Sequence, residues 1–173
     1  MMFLSLGIGA AVAIALIVVV SIVTGGGPAA RAKNALVGTR IHHLSMAGLS
    51  GGTVKSPWTD GHPAVLIFFA SWCGPCQREM PGVATYLRAH GSGSVVVVGV
   101  DALDARGPAE HFVARDRVTF PVVFDPNGAV TAGVFNFQTL PETVFLNARG
   151  VVTDVYFGAI PKDALVAGIK KLA

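Results

Sequence analysis

Three largely apolar, uncharged runs punctuate this 173-residue chain, and their lengths sort them into different elements. Phe3 to Thr24 is almost wholly apolar, broken only by Ser5, Gly7, Gly9 and Ser21, and it carries no charge. A run of that length matches the roughly 20 residues that a helix needs to cross a bilayer. Gly25-Gly26-Gly27-Pro28 then ends it. Ala64 to Ala70 (AVLIFFA) and Val95 to Val100 are far shorter and rich in β-branched and aromatic residues. They read as strands buried on both faces.

Mixed patterns between these runs predict the remaining elements. Arg40 to Leu49 and Gly52 to Val54 read as two short strands around a Ser50-Gly51-Gly52 turn, an N-terminal β-hairpin. Asp60-Gly61-His62-Pro63 is a loop into the first buried strand. A helix begins after Cys73 and runs to about Ala89, with Pro81 kinking it and His90-Gly91 ending it. Asp101-Ala102-Leu103-Asp104 ends the second buried strand in a loop. Pro108 to Arg117 reads as a helix with proline near its first turn. Phe120 to Phe124 is a short strand, 125–128 a turn, and Ala129 to Val134 a short helix. Thr143 to Leu146 and Val151 to Phe157 pair around Asn147-Ala148-Arg149-Gly150. Pro161 to Leu172 closes the chain as an amphipathic helix with Leu165, Ile169 and Leu172 on one stripe. Strands alternating with helices, then a β-β-α unit, predict an α/β three-layer sandwich. The expected organisation is a transmembrane anchor over 1–24, a linker over 25–37 and a folded domain over 38–173.

Charge narrows the partners. The formal net charge is +3, but Arg31, Lys33 and Arg40 all lie just after the apolar segment. From Ile41 onward ten Lys and Arg face ten Asp and Glu, so the domain is neutral. It has no basic run that tracks phosphates, which argues against a nucleic-acid partner. A cleaved signal peptide would use Ala30-Arg31-Ala32, yet the apolar run exceeds the usual h-region and lacks a basic n-region. An uncleaved anchor fits better. The Lys and Arg residues flanking the span all follow it, which by the positive-inside rule alone puts the domain in the cytoplasm.

The chemistry lies in Trp72-Cys73-Gly74-Pro75-Cys76, which holds both cysteines of the chain. Two thiols at that spacing, delivered by a buried strand to a helix N-terminus, form the redox arrangement of thioredoxin-like proteins. Unpaired N–H groups and the helix dipole favour a thiolate there. Cys73 is expected outward as the nucleophile, and Cys76, one turn further in, as the resolving thiol. Pro75 pre-sets the first turn and Trp72 covers the pair. Zinc needs about four ligands and no second C-x-x-C exists. His42 and His43, adjacent on a strand, point to opposite faces. Covalent haem attachment needs a His where Gln77 stands. A structural disulfide this short closes too small a loop to stabilise a fold much. His62, His90 and His111 have no partner at catalytic spacing and read as surface residues.

The stretch Phe69-Ala70-Ser71-Trp72-Cys73-Gly74-Pro75-Cys76-Gln77-Arg78-Glu79-Met80-Pro81 resembles the W-C-x-P-C-x-x-E-x-P signature of the TlpA/ResA/CcmG (DsbE) group. These are membrane-tethered, extracytoplasmic thiol-disulfide oxidoreductases of bacteria. The resemblance spans about 38–173 and includes the hairpin, the strand ending at Asp101, Phe120–Gly128 and the Leu140-Pro141-Glu142-Thr143-Val144-Phe145-Leu146 block. It implies a thioredoxin-like fold. It also implies that Pro141 is a cis-proline facing the disulfide, that Leu140 and Trp72 help bind substrate, and that Glu142 flanks the groove. By the same resemblance Glu79 handles protons or recognises partners near the cysteines, and lies on the Cys76 face of the helix. Thioredoxin's buried Asp is replaced by Ile67, and the strand Val95–Val100 lacks the Lys that partners it, so Cys76 must use Glu79, another carboxylate or water.

The function implied is a membrane-anchored protein-disulfide reductase facing the outside of the cytoplasmic membrane, against the positive-inside count. It needs no cofactor beyond the Cys73/Cys76 disulfide and no metal. The partners implied are client protein disulfides, the haem-attachment C-x-x-C-H of an apocytochrome c among them, and a CcdA/DsbD-type membrane thiol donor. A disulfide-forming oxidase is the nearest alternative. A thiol-based copper chaperone is another, although carriers on this fold prefer C-x-x-x-C.

Overall fold

The apolar strand Ala64–Phe69 (β3) is buried at every position and forms the middle of a five-stranded sheet. The computed structural model describes residues 35–173. The anchor expected over 1–24 and most of the 25–37 linker lie outside the described residues. No helix among the described residues is long and apolar enough to cross a membrane. Two short strands come first, Ser45–Ala47 (β1) and Thr53–Lys55 (β2), paired antiparallel as the expected hairpin. After β3 follow the helix Gly74–His90 (α1), the strand Val96–Ala102 (β4), the helix Arg106–Arg115 (α2) and the strand Val122–Asp125 (β5). Glu142–Leu146 (β6), Val152–Phe157 (β7) and the helix Lys162–Leu172 (α3) close the chain.

The sheet order is β5-β4-β3-β6-β7. β3, β4 and β5 run parallel, while β6 and β7 are antiparallel to their neighbours, as a terminal β-hairpin requires. Parallel neighbours need crossovers, and α1 and α2 supply them. One face of the sheet packs against all three helices through Val65, Ile67, Met80, Phe112, Leu165 and Ile169. Gly168 lets α3 settle closely there, because a Cβ at that position would sit 2.2 Å from the Phe145 ring.

The other face is covered differently from expectation. The short helix expected over Ala129–Val134 is a series of turns, tied by the Val134 N–H to the Val130 carbonyl at 3.1 Å. The Asp125 carboxylate pins the start of these turns by accepting the Val130 and Thr131 N–H groups. Val130, Val134 and Phe135 from this turn join Leu36, Met46 and Trp58 from the N-terminal region over Phe68 and Leu146. The second cover is therefore loop and hairpin, with the single 3-10 turn Pro57–Asp60 carrying Trp58 and, among the described residues, no α-helix in it. The hairpin also meets the edge of the sheet, where the Leu49 N–H donates to the Val122 carbonyl at 2.8 Å.

Two further boundaries moved. β4 runs to Ala102, so Asp101 lies inside the strand and not in the loop expected to end it. The α2 helix starts at Arg106, two residues ahead of Pro108, and stops before Arg117, which adopts a φ of 53°.

Candidate active site

Cys73 and Cys76 sit where β3 hands the chain to α1. The Cys73 N–H donates to the Ala70 carbonyl at 3.2 Å, closing a turn directly after the strand. Cys73 is the N-cap of α1, and its Sγ accepts the Cys76 N–H at 3.2 Å. Pro75 occupies the first turn, where a missing N–H costs nothing. The two sulfurs are joined at 2.08 Å with the Cα atoms 5.2 Å apart. Cys73 is only 4% exposed and Cys76 1%. The outward cysteine expected from sequence is thus mostly covered, and it meets solvent only through a groove.

That groove, of about 400 Å³, is lined by Trp72, Cys73 and Pro75 on one side and by Phe137, Gln138 and Leu140 on the other. Trp72 is 60% exposed, and its indole N–H donates to the Leu103 carbonyl at 3.0 Å. The Leu140–Pro141 peptide is cis. Pro141 itself is buried, and its carbonyl accepts the Gly158 N–H at 2.9 Å, so it anchors the wall that Leu140 presents.

Three acids surround this arrangement, and each is held in a different way. Glu79 is half-buried and its Oε1 accepts the Ile160 N–H at 2.9 Å. Burial pushes its pKa up to about 7, against the lowering effect of that hydrogen bond. It lines a separate cavity of about 330 Å³ with Arg78, Val83, Pro161 and Lys162, between α1 and the connection into α3. Glu142 is fully buried, Oε2 accepts the Gln138 N–H at 3.0 Å, and Oε1 has no partner among the described residues. Burial raises its pKa, and hydrogen bonds from the Gln138 and Thr139 backbone oppose the rise. Glu142 therefore does not line the groove; it grips from below the segment that does. Asp101 is fully buried, and among the described residues no backbone or neutral donor reaches either oxygen. Burial pushes it up to about 8, with the Asp104 charge, a side-chain hydrogen bond with Asp104 and the Asp125 charge adding to the rise.

The structure brings Trp72, Cys73 and Leu140 together, buries Cys76, Pro141 and Glu142 behind them, and sets Glu79 on the α3 side. Sequence reading missed the groove residues Phe137, Gln138 and Thr139, which carry no local signal. It also missed Asp101, whose signal was an acid directly after an apolar run.

A mixed sheet carrying a C-x-x-C disulfide at a helix N-terminus, beside a groove walled by a cis-proline segment, defines a thioredoxin-like thiol-disulfide oxidoreductase. The chain belongs to the AhpC/TSA family, whose pattern matches residues 37–155. It is 28% identical over 123 residues to the sporulation thiol-disulfide oxidoreductase A of Bacillus subtilis, covering 69% of this chain and 73% of that one. It is 25% identical over 129 residues to the thiol-disulfide oxidoreductase ResA of Halalkalibacterium halodurans, covering 75% and 73% of the two chains. Among solved structures, MTB DsbF in its mixed oxidized and reduced forms is 32% identical, with a TM-score of 0.67 over 75% of this chain and 95% of that one. The redox centre is the cysteine pair. Among the described residues no group of three or more His, Cys, Asp or Glu side chains is placed to hold a metal ion.

Proposed function

We propose that the protein reduces disulfides in client proteins on the outer side of the cytoplasmic membrane, held there by an anchor over residues 1–24, with 38–173 as its catalytic domain. The observation that carries this is Cys73 at the floor of a groove, capping α1 and accepting the Cys76 N–H. The helix N-terminus stabilises a thiolate on Cys73. In the reduced protein that thiolate attacks a client disulfide sulfur, forming a mixed disulfide and releasing one client thiolate. Cys76 then attacks Cys73 Sγ, which frees the second client thiol and leaves the Cys73–Cys76 disulfide. Two electrons pass from this protein to the client, and a membrane dithiol donor of CcdA/DsbD type restores the reduced pair.

Trp72, Leu140 and the cis-Pro141 segment present the groove to an extended peptide, with Glu142 holding the Gln138 backbone in place. The groove lining carries no charged side chain, which suits an uncharged client segment around the cysteine. The haem-attachment C-x-x-C-H of an apocytochrome c is the client class proposed. Glu79 is proposed to relay a proton to Cys76, supported by its position one helical turn away and by its pKa near 7.

Equilibration with thiol–disulfide buffers tests the direction. A reduction potential near or below about −200 mV is expected, and a value near about −120 mV would make the protein an oxidant. A Cys76→Ser trap in whole cells tests the rest. Mixed disulfides through Cys73 with extracytoplasmic clients are expected, whereas capture of cytoplasmic clients alone overturns the location.

A further inference from the structure

β4 ends in a way its sequence disguises. The strand runs two residues beyond its apolar part, and Asp101 lies inside it with 0% exposure. Register sets Phe69 of β3 on one side and Phe124 of β5 on the other. Alternation along β4 turns Asp101 to the same face as Val97, the face that carries the cysteines. Among the described residues no backbone or neutral donor reaches either carboxyl oxygen. A bare carboxylate is strongly disfavoured in such a place, whereas a carboxylic acid whose O–H reaches an acceptor is allowed.

Asp104 is that acceptor, its carboxyl lying within side-chain hydrogen-bond reach of Asp101. Its carboxylate already holds backbone, with Oδ2 accepting the Ser71 N–H at 2.5 Å and Oδ1 the Ala105 N–H at 2.7 Å. Leu103, at a φ of 55°, offers its carbonyl to the Trp72 indole. The 103–104 corner thus grips Ser71 and Trp72, the two residues immediately ahead of Cys73.

We propose that Asp101 and Asp104 are a carboxyl pair sharing one proton, and that Asp101, as a positioning residue, braces through Asp104 the Ser71–Trp72 approach to Cys73. The inference rests on the thiol–disulfide reading of the cysteines. At neutral pH the proton is in place, since burial first and the Asp104 interaction second raise the pKa of Asp101 to about 8. Above that, two anions face each other where buried Asp101 meets half-buried Asp104, and Asp104 is driven off Ser71.

Few other charges face the pair. Asp125 at the end of β5 adds to the rise. Arg106 at the start of α2 is committed to the Phe124 ring, 4.3 Å from its centroid, and to the Leu49 carbonyl. On α1, Glu79 is turned to Ile160, and Arg78 lines the same cavity as Glu79. β3 has no ionisable side chain.

The test uses the full chain kept oxidised, so that neither cysteine titrates, and follows the Ser71 amide and the Trp72 indole by heteronuclear NMR across alkaline pH. Both signals are expected to move along one curve centred near pH 8. Asp101→Asn, of the same shape and with an N–H donor for Asp104, is expected to abolish that curve. In reduction by dithiothreitol, the rate of Asp101→Asn relative to wild type is expected to rise about three- to tenfold from neutral to alkaline pH, the equivalent of one net hydrogen bond. Wild-type signals that stay still across the range, or a curve that survives in Asp101→Asn, would overturn the proposal. If the curve appears in a protein that exchanges with no disulfide, the brace stands and the thiol reading falls. Normal exchange without the curve removes the brace alone.

Discussion

Asp101, one residue short of the end of β4, and Asp125, the last residue of the neighbouring β5, are similarly hidden, at 0% and 4% exposure, yet the chain treats them in opposite ways. Asp125 receives the Val130 N–H, the Thr131 N–H at 2.7 Å and the Thr131 hydroxyl. Every one of those donors lies in the turn that it shapes. Asp101 receives none of this and faces phenylalanine on both flanks. The same residue at the same depth holds the fold together where the backbone supplies donors, and is left chemically poised where it does not. The poised one lies on the sheet face that carries the cysteines, and the carboxyl groups of Glu79 and Glu142, held elsewhere around the site, are also raised by burial.

Four measurements break or sharpen that contrast. Cys73→Ser is expected to lower insulin reduction by about a thousandfold or more while far-ultraviolet circular dichroism shows the fold intact. Residual activity near wild type would detach the poised region from the chemistry.

Asp101→Asn comes next, read as stability against pH by urea unfolding. Asp101 keeps its proton in the fold up to about pH 8 and sheds it near its ordinary value of 3.8 when unfolded. The fold therefore binds the extra proton across that window, and wild-type stability falls as pH rises through it. The variant is expected to gain on wild type by up to about 1.4 kcal/mol per pH unit there. Parallel pH curves for the two proteins would mean that Asp101 is satisfied like Asp125.

Asp125→Ala should behave in the reverse sense. It is expected to cost about 2–3 kcal/mol in urea unfolding, the scale of hydrogen bonds to a charged group. Exchange per folded molecule should stay within about twofold of wild type, within the range of indirect effects. A large loss of exchange at full stability would merge the two regions.

Glu79→Gln carries the smallest effect. Its carboxyl is neutral below about pH 7 and ionised above, so kcat/KM is expected to lose an inflection near pH 7 in the variant. Stability of wild type relative to Gln should fall modestly from about pH 4.5 to 7, because the folded side chain holds its proton longer than the unfolded one. A pH–rate profile identical in both proteins would leave Glu79 as a clasp on Ile160 alone.

Much of the architecture was legible from local pattern. AVLIFFA could only be a buried strand, and Asn147-Ala148-Arg149-Gly150 between two apolar segments could only be a hairpin turn. The helix expected at Ala129–Val134 is a series of turns, pinned at its start by the Asp125 carboxylate, a contact that periodicity does not register. Glu79 and Glu142 were singled out by likeness to a motif. That likeness did not reveal that one faces α3 and the other lies under Gln138.

The amino-acid order by itself determined the cysteine spacing, the helix start that caps Cys73 and the alternation of strands and helices, because each depends on residues within one or two turns of one another. Tertiary structure alone decided that Leu140 faces Trp72 across a groove and that an acid after five valines and a glycine is buried away from every backbone donor among the described residues. Those outcomes follow from β5 and β3 closing on either side of β4, and desolvation is a property of everything that surrounds a group, which no neighbour in the chain can announce.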